Sequence, residues 1–177
     1  MSLSIYIGPM FSGKTSKLIE LYNKYKNVHK CVMITSAIDT RTKKTNIWTH
    51  DNDTFDGNVI WTNNIMNEIN EINKYDMIFV NESQFIDDLY EGIIYLTDNL
   101  RKQVCISGLD GDFKREPFQN IIKLIPYAEH VEKLFARCEV CSCKASFSKK
   151  LSKNNDKIQV GGKELYQPRC REHYHTD

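Results

Sequence analysis

Residues 8–15 read Gly-Pro-Met-Phe-Ser-Gly-Lys-Thr, the pattern G-x-x-x-x-G-K-[ST]. A short apolar run at 3–7 precedes it, and Leu18, Leu21, Tyr22 and Tyr25 follow at helical spacing. Strand, glycine loop and helix in that order commit the chain to an α/β layout around a phosphate site. A phosphate needs several N–H donors converging on it, and glycines let the backbone curl close enough to supply them. The first amides of the following helix and its positive dipole end complete the cradle. In such a loop Gly8, Pro9, Met10, Phe11, Ser12 and Gly13 wrap the phosphates of a nucleoside triphosphate. Lys14 reaches the outer phosphates, and the Thr15 hydroxyl binds Mg²⁺.

Composition bounds what surrounds this loop. The 177 residues fit one domain, or one domain with a small appendage, and 41% hydrophobic content supports a real core. With 24 basic and 23 acidic residues the net charge is +1, so no global pull toward nucleic acid or a membrane is expected. No apolar run approaches bilayer-spanning length, and the N-terminal residues enter a strand without a basic flank. The expectation is an intracellular, cytoplasmic protein. Its six cysteines then read as metal ligands, core residues or reactive thiols rather than a disulfide framework.

Apolar runs predict strands at 3–7, 31–34, 59–61, 77–80 and 103–109, that at 3–7 central and parallel and that at 77–80 buried in a parallel sheet, with Cys31 and Cys105 in the core. Helical spacing predicts helices over 14–26, 63–72 and 85–100, the last with Phe85, Leu89, Ile93 and Leu96 on one stripe. A short helical face, Phe118, Ile121, Ile122 and Ile125, is expected to end at Pro126. Residues 38–58 are polar and aperiodic, which is uncommon in a compact domain unless functional or mobile. Arg41 there is a phosphate neutraliser or a solvated loop residue; His50 beside Asp51 reads as a loop-fixing pair. The strand at 77–80 runs into Asn81-Glu82, where P-loop proteins carry the Walker B acid. Ligands of open α/β sheets sit outside the carboxyl ends of the strands, so Asn81 and Glu82 are expected to face the loop. Asp110 to Phe118 leaves another strand end; its aromatics and cations are either substrate contacts or a turn tucked into the core.

Near the C-terminus, Cys138-x-x-Cys141 is followed after 28 residues by Cys170-x-x-His173. Two such ligand pairs close a tetrahedral zinc site with no open position, which assigns the metal a structural role. Cys143 is an alternative ligand to Cys141, and His175 a weaker substitute for His173. This divides the chain into a nucleotide-binding domain at 1–137 and a zinc-bearing domain at 138–177. Gly161-Gly162, between the knuckles, is a hairpin turn or a close approach to ligand.

Read together, these residues resemble the type II thymidine kinases, a family shared by animal cells, bacteria and poxviruses. The resemblance rests on G-P-M-F-S-G-K-T at 8–15, T-H-D at 49–51, N-E-S-Q-F at 81–85, L-D-G-D-F-x-R-x-P-F at 109–118, the two knuckles and G-G-x-x-x-Y at 161–166. It covers almost the whole chain, and the length and AT-rich flavour resemble a viral member. It implies a RecA-like α/β domain with a mainly parallel sheet, a small zinc domain with a lasso loop, and a homotetramer. It also implies transfer of a phosphoryl group from Mg·ATP to the 5′-hydroxyl of thymidine or deoxyuridine, with feedback binding of thymidine triphosphate. By position, Glu82 is the base, Thr15 and Asn81 face magnesium, and Arg41 lies near the transferring phosphate. Met10, Phe85, Leu109, Phe113 and Phe118 match the nucleoside pocket; Lys157, Ile158, Gln159, Val160, Gly161 and Tyr166 match the lasso.

Departures from the family pattern are local. Asn81 stands where the family has aspartate, Lys150 where it has arginine, and Asp112, Glu116 and Gln159 replace a threonine, a lysine and an aliphatic residue. An amide brings no charge to magnesium, and lysine does not replace a bidentate arginine. The alternative reading is a kinase-like binder of thymidine nucleotides with little or no turnover; Asn81 and Lys150 favour it, Lys14 and Glu82 oppose it. A nucleic-acid-stimulated ATPase is a third reading, opposed by the balanced charge and short length.

Overall fold

The computed structural model describes residues 1–36, 55–151 and 164–176. Its centre is a six-stranded sheet built from β1 (Ser2–Ile7), β2 (Cys31–Thr35), β3 (Val59–Trp61), β4 (Met77–Asn81), β5 (Gln103–Gly108) and β6 (His130–Lys133). The strand order is β3-β2-β4-β5-β1-β6 and every pairing is parallel. β1 therefore lies between β5 and β6, far from its sequence neighbour β2. The P-loop follows β1, and the chain leaves β4 and β5 on the same edge.

Alternation along the inner strands sorts two kinds of side chain. Leu3, Ile5, Ile7, Val32, Ile34, Ile78, Val80, Val104 and Ile106 form one cluster with Ile65, Ile72, Leu89, Ile93 and Ile121. These come from α2 (Ile69–Ile72), α3 (Leu89–Ile94), α4 (Gln119–Ile122) and the turn before α2. Tyr6, Cys31, Met33, Met77, Phe79 and Cys105 face the other way, onto Leu18 and Tyr22 of α1 (Lys14–Tyr25) and onto Phe55. Branched aliphatics thus meet the three-helix side, while flat and polarizable groups meet α1. Tyr22 sits edge-on to Phe55 at 4.6 Å between ring centroids. Burial pushes the Cys105 thiol up to about 11 and, with Cys105 and Glu132 nearby, the Tyr6 phenol up to about 12.

Both predicted core cysteines are buried. The predicted single helix at 85–100 is corrected. A 3-10 turn, Ser83–Phe85, comes first, α3 starts at Leu89, and Tyr95–Asn99 forms a wider π turn. The carboxylate of Asp88 accepts the N–H groups of Ile65 and Met66 at 2.7 and 2.8 Å, so it caps the neighbouring turn and holds the chain out of helix. The Thr97 hydroxyl donates back to Ile93 O at 3.0 Å within the widened stretch. Phe85 is consequently half-buried beside the helix rather than on its stripe. The helix expected over 63–72 is likewise a 3-10 turn, Met66–Glu68, running into α2. Pro126 does not end a helix; it sits inside a separate 3-10 turn, Ile125–Tyr127.

Beyond β6 the chain makes two small antiparallel sheets. β7 (Ala136–Arg137) pairs with β8 (Lys144–Ala145), and β9 (Phe147–Lys150) pairs with β10 (Tyr166–Arg169), which leads into α5 (Arg171–His175). The β7–β8 pair straddles position 137. No described helix is long and apolar enough to cross a membrane.

Candidate active site and metal knuckle

The P-loop bends at three left-handed residues: Gly8 at φ 154°, Phe11 at φ 63° and Gly13 at φ 79°. Gly8 has a second reason to be glycine. A Cβ there would come within 2.4 Å of the Leu134 carbonyl oxygen, a backbone atom with no room to yield. Inside the loop the Ser12 hydroxyl and the Lys14 ammonium both donate to Pro9 O, at 2.8 and 2.7 Å. Lys14 is 8% exposed, so its ammonium lies against the loop.

Thr15, in the first turn of α1, donates its hydroxyl to Asn81 Oδ1 at 3.1 Å; Ser107 Oγ at the end of β5 donates to the same oxygen at 3.3 Å. One amide oxygen therefore ties the P-loop helix to β4 and β5. Glu82 follows in the left-handed region at φ 49°, a conformation uncommon for a non-glycine residue. That bend starts the 3-10 turn and brings Gln84 alongside. Gln84 Nε2 donates to Glu82 Oε2 at 2.6 Å while Gln84 Oε1 accepts Leu109 N at 3.1 Å. Gln84 thus spans from the Glu82 carboxylate to the end of β5. Sequence reading gave it no role, although it lies inside the N-E-S-Q-F stretch.

Leaving β5, residues 111–117 form a tight loop closed by an antiparallel bridge between Gly111 and Pro117. Asp112 is buried and accepts Lys114 N and Glu116 N on Oδ1, at 2.8 and 2.9 Å. Its Oδ2 is buried with no hydrogen-bond partner among the described residues. Pro9, Asp112, Arg115, Lys133 and Ser148 line a cavity of about 160 Å³ beside this loop. Lys133 is ion-paired with Asp110 at 2.6 Å. Phe113 is half-buried, with Lys114 and Lys150 ammonium groups 5.6 and 4.9 Å from its ring centre. Phe118 packs at the edge of the main core.

The C-terminal sheets grip the P-loop in two places. Met10 N donates to Ser148 Oγ of β9 at 2.9 Å. The Phe11 ring packs against the small core of Ala136, Cys138 and Ala145, as Cys170 also does. Neither contact has a signature in the sequence, because the partners are more than 120 residues apart and carry no shared motif.

Cys138, Cys141, Cys170 and His173 converge, their ligand atoms all within 4.8 Å of one another. Cys141 Sγ and Cys170 Sγ are 3.8 Å apart; His173 Nδ1 is 3.9 Å from Cys138 Sγ and 3.2 Å from Cys170 Sγ. Tetrahedral zinc with Zn–S bonds of ~2.3 Å separates its sulfurs by about 3.8 Å, so the cluster fits such an ion. Three thiols and an imidazole are also a soft donor set, suited to zinc and unsuited to magnesium. Burial opposes ionisation of Cys138, but backbone N–H groups of Cys170, Val140 and Cys141 outweigh it and bring the thiol down to about 6. Cys143 is not one of the four clustered ligands: its carbonyl accepts Cys138 N at 2.8 Å, which closes the knuckle, and its exposed thiol stands beside Cys141. His175 is also outside it. Tyr166 is buried at the start of β10. Arg41, His50, Asp51 and the segment Lys157, Ile158, Gln159, Val160, Gly161 lie outside the described residues.

A glycine loop at the end of an inner parallel strand, with a helix starting from it and a polar pair ending a neighbouring strand, defines a P-loop nucleotide-binding protein of the α/β class. A model of the thymidine kinase family matches residues 1–174. The thymidine kinase of Amsacta moorei entomopoxvirus is 42% identical over 97% of this chain and 96% of its own length. That of Yaba monkey tumor virus is 42% identical over 96% and 92%, and that of Vaccinia virus (strain Western Reserve) 38% over 97% and 96%. The chain belongs to the thymidine kinase family, and its relatives here are poxvirus and entomopoxvirus enzymes.

Proposed function

We propose that this chain transfers the terminal phosphoryl group of ATP to the 5′-hydroxyl of thymidine, and of deoxyuridine. The observation that carries the reading is the Thr15–Asn81 hydrogen bond of 3.1 Å, which joins the phosphate loop to the strand end bearing Glu82. It favours a site where donor phosphates and an acid residue share one small space.

The backbone of residues 8–15 holds the triphosphate and Lys14 neutralises its outer oxygens. Thr15 and Asn81 would hold magnesium, Thr15 through its hydroxyl oxygen and Asn81 through a bound water. Magnesium, when bound, withdraws charge from the phosphoryl oxygens and orients them. Glu82 accepts the proton of the sugar hydroxyl as that oxygen attacks. Gln84 fixes the Glu82 carboxylate, so the base arrives already oriented. Arg41 neutralises the transferring phosphate. Met10, Phe85, Leu109, Phe113 and Phe118 wall the pyrimidine, and Tyr166 with residues 157–161 closes over the nucleoside. Closure keeps water from competing for the phosphoryl group. Zinc at Cys138, Cys141, Cys170 and His173 is structural, the enzyme works in the cytoplasm as a homotetramer, and thymidine triphosphate binds as a feedback ligand.

Coupled detection of ADP tests this. Formation of ADP that requires thymidine upholds the kinase; binding without turnover overturns it in favour of a nucleotide binder. Release stimulated by polynucleotide and indifferent to thymidine would point to an ATPase.

A further inference from the structure

Tyr174 stands directly after the knuckle residue His173, yet its hydroxyl reaches away from the knuckle. It donates to the carbonyl of Phe113 at 2.6 Å, across 61 positions of sequence. The ring is held on two sides. Its centroid lies 5.3 Å from that of Phe147 on β9, and the Arg115 guanidinium stands 4.8 Å from it. Arg115 and Phe113 belong to the same loop, so Tyr174 touches that loop twice, once through its backbone and once through a side chain.

The loop is stiff within itself, because Asp112 accepts two of its N–H groups and Asp112 N donates to Glu116 O at 2.9 Å. A stiff loop on a narrow base at Gly111 and Pro117 moves as a unit, and an outside contact sets its tilt. Outside contacts come from β9, through Lys150 over Phe113 and Phe147 beside Arg115, and from α5, which has five residues. A helix this short does not persist in water by itself. Cys170 and His173, at its start and middle, are two of the four clustered ligands, and Tyr174 N donates to Cys170 O at 2.9 Å. A metal held by the cluster would therefore fix α5, and α5 would fix Tyr174.

We propose that Tyr174 is a positioning residue that passes the order of the metal knuckle to the loop at 111–117 and so sets nucleoside affinity. The second half of this proposal rests on the reading of Phe113 as a wall of the nucleoside pocket. The first half does not, and the two are tested separately.

Tyr174→Phe removes the hydroxyl and keeps the ring between Arg115 and Phe147. Zinc content per chain and the melting curve establish that the variant is folded and loaded. Limited trypsin digestion, read by mass at Lys114 and Arg115, reports the freedom of the loop without any substrate. Cleavage there is expected to rise several-fold in the variant. Chelation is expected to raise it in the parent and to add little more in the variant. The thymidine Kd should rise roughly five- to tenfold, the equivalent of one lost hydrogen bond, with the ATP Kd unchanged. Unchanged cleavage, or a chelation response as large in the variant as in the parent, overturns the coupling. Faster cleavage with an unchanged thymidine Kd upholds the coupling and overturns the place of Phe113 in the pocket.

Discussion

At the scale of single residues the chain places an amide where its family pattern has a carboxylate. Asn81 Oδ1 accepts both Thr15 and Ser107 hydroxyls, so geometry does not require the charge. Under the proposed function, magnesium affinity would depend on it. Asn81→Asp is expected to keep the hydrogen bonds and lower the magnesium concentration for half-maximal rate several-fold; an unchanged requirement would falsify the role given to Asn81. Glu82→Gln separates binding from chemistry. It should leave the thymidine Kd within about twofold and lower kcat by a factor on the order of 100 to 10,000, the usual span for loss of a general base. A kcat within threefold of the parent would remove Glu82 from that role. Cys105 and Tyr6 supply a third test, because burial raises both groups above their ordinary values. Between pH 9 and 11 the unfolded chain has lost the Cys105 proton and the folded chain keeps it. The folded state then binds more protons, so stability is complete below pH 9 and falls as pH rises toward 11. Urea midpoints should be flat from neutral pH to the onset of this window and then drop, less steeply for Cys105→Ala.

At the scale of elements the P-loop is shaped as much by its neighbours as by its ligand. Gly8 is barred from carrying a side chain by the Leu134 carbonyl, which belongs to the chain leaving β6. Gly8→Ala is therefore expected to cost at least about 1 kcal/mol in stability, and to raise the KM for ATP more than that for thymidine. Equal melting temperatures for parent and variant would show that Leu134 yields. Secondary structure was legible where period and length agreed: five of the six sheet strands and α1 follow from apolar runs and helical spacing, whereas β6, an edge strand with a single apolar residue, has no such run. The break at 86–88 was not, because Asp88 is recruited by amides of Ile65 and Met66, residues that approach it only after the sheet has formed. Phe85 moved off its expected stripe for the same reason.

At the scale of the whole molecule the C-terminal sheets with their Cys3His cluster and the P-loop form one packed unit. Phe11 reaches into the small core around Cys138 and Cys170, and Ser148 holds Met10 N. Metal removal is accordingly expected to act at a distance. Chelation should lower the melting temperature and raise hydrogen exchange at residues 8–15, not only at 136–145. Exchange confined to the knuckle would show the two regions to be energetically separate.

The sequence by itself determined the elements of chemistry: a phosphate loop between strand and helix, an acid at the end of a buried strand, and two ligand pairs spaced for one metal ion. These are local patterns, each written in residues a few positions apart, so the chemistry of each can be read before the rest of the chain is placed. Tertiary structure decided how the pieces bear on one another: that one amide oxygen joins Thr15 to Ser107, that Gln84 steadies Glu82, and that Tyr174 beside the Cys3His cluster holds Phe113. Such contacts join residues separated by tens of positions, and no spacing rule encodes them. They exist because parallel pairing places β1 between β5 and β6, bringing the ends of distant segments to one edge of one sheet.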